Sequence, residues 1–105
     1  MNEKIVFLGT PAFAACILEG LLENNYNVVA VVTQPDKLVG RKKVLTFSPV
    51  KEVALKNNIK VFQPSSLKND YEFLKDFEFD LLITAAYGQF LPEAVLKMAK
   101  INSIN

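Results

Sequence analysis

An apolar run between an acid and a glycine most constrains what this chain can fold into. Residues 80–86 read Asp-Leu-Leu-Ile-Thr-Ala-Ala and are followed directly by Tyr-Gly-Gln-Phe-Leu-Pro. Such a run, without polar alternation, is typical of a strand that is covered on both faces in a parallel sheet. Ligands of these sheets bind beyond the carboxyl ends of the central strands, which is where residues 87–91 are expected. The alternative is a core strand followed by an ordinary strand-to-helix turn.

The rest of the chain alternates short apolar runs with helical patterns. Strands are predicted at residues 4–8, 27–33, 60–62 and 80–86, with the start of a fifth at 101–105. Helices are predicted at residues 11–24 and 49–57, after Asn69 or Asp70, and from Pro92. This β-α-β order favours right-handed parallel crossovers. We therefore predict an α/β fold, with a Rossmann-like parallel sheet flanked by helices. Residues 1–105 would form a single incomplete domain, truncated within or before its fifth strand.

Two loops of the chain end in a pair of residues that is typical of a helix start. Thr10 with Pro11, and Ser48 with Pro49, each read as an N-cap followed by the first residue of a helix. The loop that starts at Gly9 lacks two of the three glycines of a dinucleotide-binding turn, so a nicotinamide cofactor is not expected.

The single cysteine and the absence of histidine exclude several kinds of site. Cys16 is predicted on the inward side of the first helix, as a buried structural thiol, which fits a reducing compartment. A zinc site is not expected from one cysteine and no histidine. No apolar run is long enough to cross a bilayer and no signal peptide is apparent, so we expect a soluble cytoplasmic protein.

Residues 34–47 interrupt the alternation of predicted strands and helices, since they show neither a helical nor a strand period. Such a long connection inside a compact domain is usually functional or disordered. Residues 34–51 carry a net charge of +4, although the whole chain carries only +1. Positive charge concentrated on one loop suits contact with phosphate groups. The alternative is a solvated loop with ordinary lysines.

Taken in order, the motifs of this chain are specific in combination. They are Phe7-Leu8-Gly9-Thr10-Pro11, Val31-Val32-Thr33-Gln34-Pro35-Asp36-Lys37, Gly40-Arg41, Ser48-Pro49-Val50-Lys51 and Ala86-Tyr87-Gly88-Gln89-Phe90-Leu91-Pro92. With these motifs the sequence resembles the methionyl-tRNA formyltransferase family over essentially its whole length, but over only about the first third of that enzyme.

The resemblance implies transfer of a formyl group from 10-formyltetrahydrofolate to the amino group of methionyl initiator tRNA. It implies that residues 34–47 are an inserted loop that reaches the tRNA through Arg41, Lys42 and Lys43. It also implies a wall for the pterin ring of the folate, formed by Tyr87, Gly88, Gln89, Phe90 and Leu91. Asn105 matches the catalytic asparagine of the family, whose histidine and aspartate partners are not present in this chain.

We accordingly expect the chain alone to be inactive and to self-associate through an open sheet edge. Two alternatives remain. One is another folate-dependent formyltransferase, acting on glycinamide ribonucleotide or on an amino sugar. The other is a naturally short, non-catalytic domain that binds folate or RNA.

Overall fold

The computed structural model of the chain describes residues 3–104. Its elements in chain order are β1 (Lys4–Gly9), α1 (Ala12–Glu23), β2 (Asn27–Val32), β3 (Lys37–Val39), β4 (Val44–Thr46), α2 (Pro49–Lys56), β5 (Lys60–Phe62), a 3₁₀ helix (Glu72–Asp76), β6 (Leu81–Ala85), α3 (Glu93–Leu96) and β7 (Asn102–Ile104). The predicted α/β class is confirmed.

Five strands within residues 3–104 form one sheet in the order β5-β2-β1-β6-β7. All the neighbouring pairs of this sheet are parallel. Strand β1 lies at its centre, with Phe7 beside Val31 of β2 and beside Ile83 of β6. Parallel neighbours need crossover connections, which place helices over the sheet. The predicted Rossmann-like arrangement is therefore confirmed.

Side chains of β1 alternate between two cores, one on each face of the sheet. The first core contains Ile5, Phe7, Ala14, Ala15, Leu18, Val28, Val31, Val50, Val53, Ala54 and Ala85. The second core contains Val6, Leu8, Ala30, Val32, Leu67, Leu74, Phe79, Leu82, Tyr87 and Val95. Because both faces are covered, the central strands need apolar residues at consecutive positions, which explains their unbroken apolar runs.

The two predicted N-caps have different outcomes. Ser48 caps α2 as predicted, since its hydroxyl accepts a hydrogen bond from the backbone N–H of Lys51 at 3.0 Å. The prediction that Thr10 caps α1 is wrong, because Pro11 occupies the N-cap position and makes no side-chain capping bond. The hydroxyl of Thr10 instead donates to the carbonyl oxygen of Tyr87, so it is not available to the helix.

The helix predicted after Asn69 or Asp70 is a 3₁₀ helix of five residues, whose N-cap residue, Tyr71, makes no side-chain capping bond. Leu74 is its buried residue, and Tyr71 and Phe77 are partly buried against the second core. Short 3₁₀ segments are common connectors. This one needs to place only a few apolar side chains.

The prediction that Cys16 is a buried thiol is wrong, since Cys16 is free and exposed. Helix α1 buries Ala14, Ala15 and Leu18 against the sheet. Cys16 lies two residues from both Ala14 and Leu18, roughly 200° around a helix with 3.6 residues per turn. Phe13, in the first turn of α1, is also exposed, to 67%.

Residues 34–47, whose sequence shows neither a helical nor a strand period, contain two short strands. Strands β3 and β4 pair antiparallel, with Val39 opposite Val44, and form a hairpin outside the main sheet. All six residues of these strands are exposed. A hairpin that buries neither face has no alternation of apolar and polar residues, so its sequence carries no strand period.

Strand β7 pairs in parallel with β6, as expected for the fifth strand of the sheet. No further strand follows β7 among the described residues. Self-association through this edge stays a prediction. No helix in the described part of the chain combines the length and the apolar character that crossing a membrane requires.

A matched pair of glycine substitutions tests the packing of β1 against α1. At Gly9, an added Cβ would lie 2.8 Å from the Cβ of Ala14 and 2.9 Å from the backbone oxygen of Ala85. We expect Gly9→Ala to lower the free energy of unfolding by about 1–3 kcal/mol through overpacking. At Gly20, inside α1, an added Cβ would meet nothing within 4 Å. Gly20→Ala should raise that free energy by about 0.5–1 kcal/mol.

Urea denaturation of both variants provides the measurement. Equal effects of the two substitutions would contradict the close approach of α1 to the ends of β1 and β6.

Candidate functional site

The carboxyl ends of β1, β2 and β6 meet at one side of the sheet. The order of the strands reverses between β1 and β6, since β1 continues to β2 on one side and the chain returns to β6 on the other. Open parallel sheets bind ligands in the crevice at such a reversal. We call this region, formed by residues 9–10, 33–36 and 86–91, the ligand edge.

Thr10 joins the three strand ends at the ligand edge. Its hydroxyl donates to the carbonyl oxygen of Tyr87 at 2.7 Å and accepts from the backbone N–H of Gln34 at 3.3 Å. One side chain thus uses both its donor and its acceptor to hold the residues after β2 and β6 against the end of β1.

Gln89 connects the loop after β6 to two other segments. Its side-chain nitrogen donates to the side-chain oxygen of Gln34 at 2.7 Å and to the carbonyl oxygen of Pro64 at 3.0 Å. Its side-chain oxygen accepts from the backbone N–H of Leu67 at 2.7 Å. The amide of Gln89 is therefore engaged within the protein, and it orients the loop.

The backbone between Ala86 and Gln89 has an unusual conformation. Ala86 has a φ of 51° and Gly88 a φ of 96°. A Cβ at Gly88 would lie 2.7 Å from the side-chain nitrogen of Gln34. Left-handed conformations of non-glycine residues are costly and concentrate at functional sites. Gly88 is favoured here by its backbone angle, and a Cβ at this position would also force the side chain of Gln34 to shift.

Tyr87 turns its side chain away from the ligand edge. Its ring lies in the second core with 2% of its surface exposed. Its hydroxyl is buried and has no hydrogen-bond partner among residues 3–104. Burial raises the pKa of Tyr87 from 10.0 to about 12, because the charged phenolate is poorly solvated there.

The five residues of the predicted folate wall therefore differ in accessibility. Phe90 is 69% exposed, Gly88 is exposed and Leu91 is partly buried against the second core. Tyr87 and Gln89 are held by protein contacts. The assignment of these five residues to cofactor binding stays a prediction, and Asn105 lies outside the described residues.

Arg41, Lys42 and Lys43 lie together at the tip of the hairpin formed by residues 37–46, which we call the basic hairpin. They are exposed in a turn that starts at Gly40. The backbone N–H of Lys43 donates to the carbonyl oxygen of Gly40 at 3.1 Å, and both residues have positive φ values. The predicted cations are thus brought together in one place, and their contact with RNA stays a prediction.

The base of the basic hairpin borders the ligand edge. A cavity of about 170 Å³ lies between them, and Thr10 and Gln34 line it together with Val39, Thr46 and Phe47. The accessible lining is mostly apolar, and Thr10, Gln34, Lys37, Thr46 and Ser48 are its polar members.

An ion pair lies at the same base. The ammonium of Lys51 contacts both carboxylate oxygens of Asp36 at 3.0 Å. The side-chain nitrogen of Gln63 donates to the same carboxylate at 2.7 Å and to the carbonyl oxygen of Gln34 at 3.2 Å. The hydrogen bond from Gln63, and then the contact with Lys51, hold the pKa of Asp36 below its ordinary value of 3.8, against the opposing effect of burial. The carboxylate is therefore ionised at neutral pH.

Comparison with known proteins shows the family of this chain. The family model described as formyl transferase matches residues 3–105. The chain belongs to the formyl transferase family.

Individual relatives of this formyl transferase chain carry a more specific name. It is 63% identical over 104 residues to a protein of Ligilactobacillus salivarius named methionyl-tRNA formyltransferase, covering 97% of this chain and 33% of the relative. Proteins of the same name from Enterococcus faecalis and Mycoplasma capricolum are 58% and 52% identical, each covering 97% of this chain and 33% and 32% of the relative. The chain thus spans about a third of the length of these curated relatives.

Sequence reasoning missed the polar contacts that hold the ligand edge and the base of the basic hairpin together. It did not predict roles for Gln34, Asp36, Lys51 and Gln63, although the first three lie within the motifs that carry the resemblance. The combination of these motifs was the available signal, since four of the five motifs contribute a partner to the same network, through Thr10, through Gln34 and Asp36, through Lys51 and through Gln89. Within residues 3–104, no group of three or more histidine, cysteine or acidic side chains is placed to hold a metal ion.

Replacing Tyr87 tests whether its buried hydroxyl makes a favourable contact in the second core. We expect Tyr87→Phe to raise the free energy of unfolding by about 1 kcal/mol, because a buried hydroxyl without a partner is lost. Because the folded state raises the pKa of Tyr87, the wild-type chain should lose stability as the pH rises from 10.0 towards 12, and Tyr87→Phe should lose less.

Tyr26, which is 43% exposed, provides the control, and Tyr26→Phe should change neither quantity. Chemical denaturation between pH 8 and 11 measures both. Destabilisation by Tyr87→Phe at neutral pH would show that the hydroxyl makes a favourable contact.

Proposed function

We propose that this chain forms the N-terminal part of an enzyme that transfers the formyl group of 10-formyltetrahydrofolate to the amino group of methionyl initiator tRNA. The observation that carries the proposal is the position of the basic hairpin, which leaves the sheet between the carboxyl end of β2 and the start of α2. An exposed cationic turn and the ligand edge thus belong to the same end of the fold. The names of the relatives support this assignment.

The proposed reaction is an exchange of one C–N bond for another. The α-amine of the methionyl group attacks the formyl carbon, the bond from that carbon to the folate nitrogen breaks, and the amine's proton passes to the departing nitrogen. Negative charge develops on the formyl oxygen, so a donor aimed at this oxygen lowers the barrier. We assign this donor to the side-chain amide of Asn105.

The folate would be held mainly by backbone groups of residues 88–90 and by the exposed ring of Phe90. A flat heteroaromatic ligand suits an apolar surface with a few fixed polar groups. Tyr87 and Gln89 would act indirectly: the buried ring of Tyr87 and the engaged amide of Gln89 hold this backbone in place. Leu91 would complete the apolar side.

The tRNA would approach from the basic hairpin. Arg41 offers planar donors to phosphate or to base edges, and Lys42 and Lys43 add charge. The cavity of about 170 Å³ between the basic hairpin and the ligand edge would receive the aminoacyl group, since its lining joins the base of the hairpin to Thr10 and Gln34 of the ligand edge. We place this activity in the cytoplasm, in agreement with a free, exposed Cys16.

Charge removal at the hairpin tip tests the RNA contact. We expect replacement of Arg41, Lys42 and Lys43 by alanine to weaken the affinity of the chain for a labelled acceptor-stem RNA. The slope of log K against log salt should fall by roughly 2–3 units, as three phosphate contacts are lost. Fluorescence anisotropy at several salt concentrations gives both numbers.

A second triple variant with the same change in net charge serves as the control. Lys56, Lys68 and Lys75 are exposed and lie outside the basic hairpin. If replacing these three by alanine changed affinity and slope as much as the tip variant does, RNA attraction would be a matter of net charge, and the assignment to the hairpin would fail.

The reaction itself is best tested in a chimera in which this chain replaces the corresponding third of the relative from Ligilactobacillus salivarius. We expect the chimera to formylate methionyl-tRNA and to leave glycinamide ribonucleotide and amino sugars unchanged. Asn105→Ala should lower kcat/KM about 10²–10³-fold, as loss of an oxyanion donor does.

Asn102→Ala is the matched control, because this exposed asparagine lies three residues earlier and its side-chain oxygen accepts a hydrogen bond from the backbone N–H of the neighbouring Ser103. A folded chimera that formylates another acceptor in preference to methionyl-tRNA would overturn the proposed substrate.

A further inference from the structure

Both ends of the basic hairpin contact one side chain. Asp36 directly precedes β3 and Phe47 directly follows β4. The ammonium of Lys51 lies 3.0 Å from both carboxylate oxygens of Asp36 and 3.7 Å from the centre of the Phe47 ring. An ion pair thus anchors the residue before β3, and a cation–π contact anchors the residue after β4.

The strands of the hairpin provide no comparable anchor. All six residues of β3 and β4 are exposed, so the hairpin does not pack against the sheet with either face. A two-stranded ribbon without a buried face is marginally stable in water. Its orientation therefore depends on its ends, where Lys51 acts together with a hydrogen bond of 2.6 Å between the hydroxyls of Thr33 and Ser48.

The position of Lys51 is costly for the helix that carries it. Lys51 is the third residue of α2, whereas a cation is favoured near the C-terminus of a helix. Its side chain is only 13% exposed, and lysines are rarely so buried unless they are paired. Helix formation and solvation both disfavour a lysine here, so its contacts with the hairpin ends are the gain that offsets these costs.

We propose that Lys51 is a positioning residue that holds the basic hairpin in the orientation in which its tip contacts RNA. This inference rests on the proposed RNA contact of the tip. Lys51 is not itself a phosphate ligand, because Asp36 neutralises its charge and Phe47 covers it. The affinity of a ligand falls in proportion to the fraction of molecules in the binding-competent orientation.

Three variants of this chain separate a positioning role from a direct contact. Lys51→Gln removes the charge and should weaken binding of the acceptor-stem RNA about tenfold, which corresponds to a competent fraction of roughly one tenth. The salt slope should stay unchanged, because no phosphate contact is lost. Lys51→Arg should retain most of the affinity, since a guanidinium can pair with a carboxylate and stack on an aromatic ring.

Asp36→Asn provides the sharpest contrast. If Lys51 bound phosphate directly, removing its neutralising partner would strengthen RNA binding and steepen the salt slope. If Lys51 positions the hairpin, the same change weakens the contact that anchors the residue before β3, and RNA binding becomes weaker. Strengthened binding by Asp36→Asn, or a slope reduced by about one unit in Lys51→Gln, would overturn the proposal.

Hydrogen exchange in the absence of RNA tests the same proposal independently. In Lys51→Gln the amides of residues 38–46 should exchange faster than in the wild type, while those of β1 and β6 keep their protection. Unchanged exchange of the hairpin would contradict the proposal even if RNA binding weakened. Should Lys51→Gln fail to fold, Asp36→Asn takes its place in this measurement.

Loss of the RNA contact at the tip and loss of the order of the hairpin give different experimental results. If the wild-type chain does not bind acceptor-stem RNA, the proposed role of the tip is wrong and so is the RNA-positioning role of Lys51. The exchange rates then still report whether Lys51 orders the hairpin.

Discussion

The pairing of β1 with both β2 and β6 is the constraint on which the rest of this structure depends. It places three chain segments that are far apart in sequence at one end of the sheet, and Thr10 can then join them through a single hydroxyl. Parallel pairs cannot be closed by tight turns, so this arrangement also requires the crossover helices that cover both cores. Sheet topology sets the position of the ligand edge, and side-chain hydrogen bonds hold its loops in place.

Amide side chains make many of these hydrogen bonds. Gln34, Gln63 and Gln89 each contact at least one segment distant in sequence, and none of them carries a net charge. Neutral donors and acceptors can be partly buried at much lower cost than ions, and a primary amide supplies both functions. Where a charged pair does occur, between Asp36 and Lys51, Gln63 supports it with a further hydrogen bond. The network therefore fixes the loops around the site without adding an uncompensated charge.

The sequence was informative where local and tertiary preferences agree. The apolar runs of β1, β2 and β6 and the capping residue Ser48 could be predicted, because burial on two faces and helix capping both leave local patterns. Thr10 has the same capping chemistry as Ser48, yet a tertiary partner takes its hydroxyl. The predicted burial of Cys16 is wrong because helical spacing indicates that a helix has an apolar face more reliably than it indicates which residues lie on that face. The strands of the basic hairpin could not be predicted, since two exposed faces leave no alternation.

The candidate site divides in the same way. The positive charge of residues 41–43 can be read from the sequence. The contact of Lys51 with both ends of the basic hairpin can be seen only in the folded structure. In sequence, Lys51 is one more cation in a basic segment, and a count of charges assigns it to the same surface as Arg41. In the fold, the two have opposite environments: Arg41 is exposed at the tip and Lys51 is neutralised at the base. The net charge of +4 over residues 34–51 is therefore carried by Lys37, Arg41, Lys42 and Lys43, because the charges of Lys51 and Asp36 cancel each other.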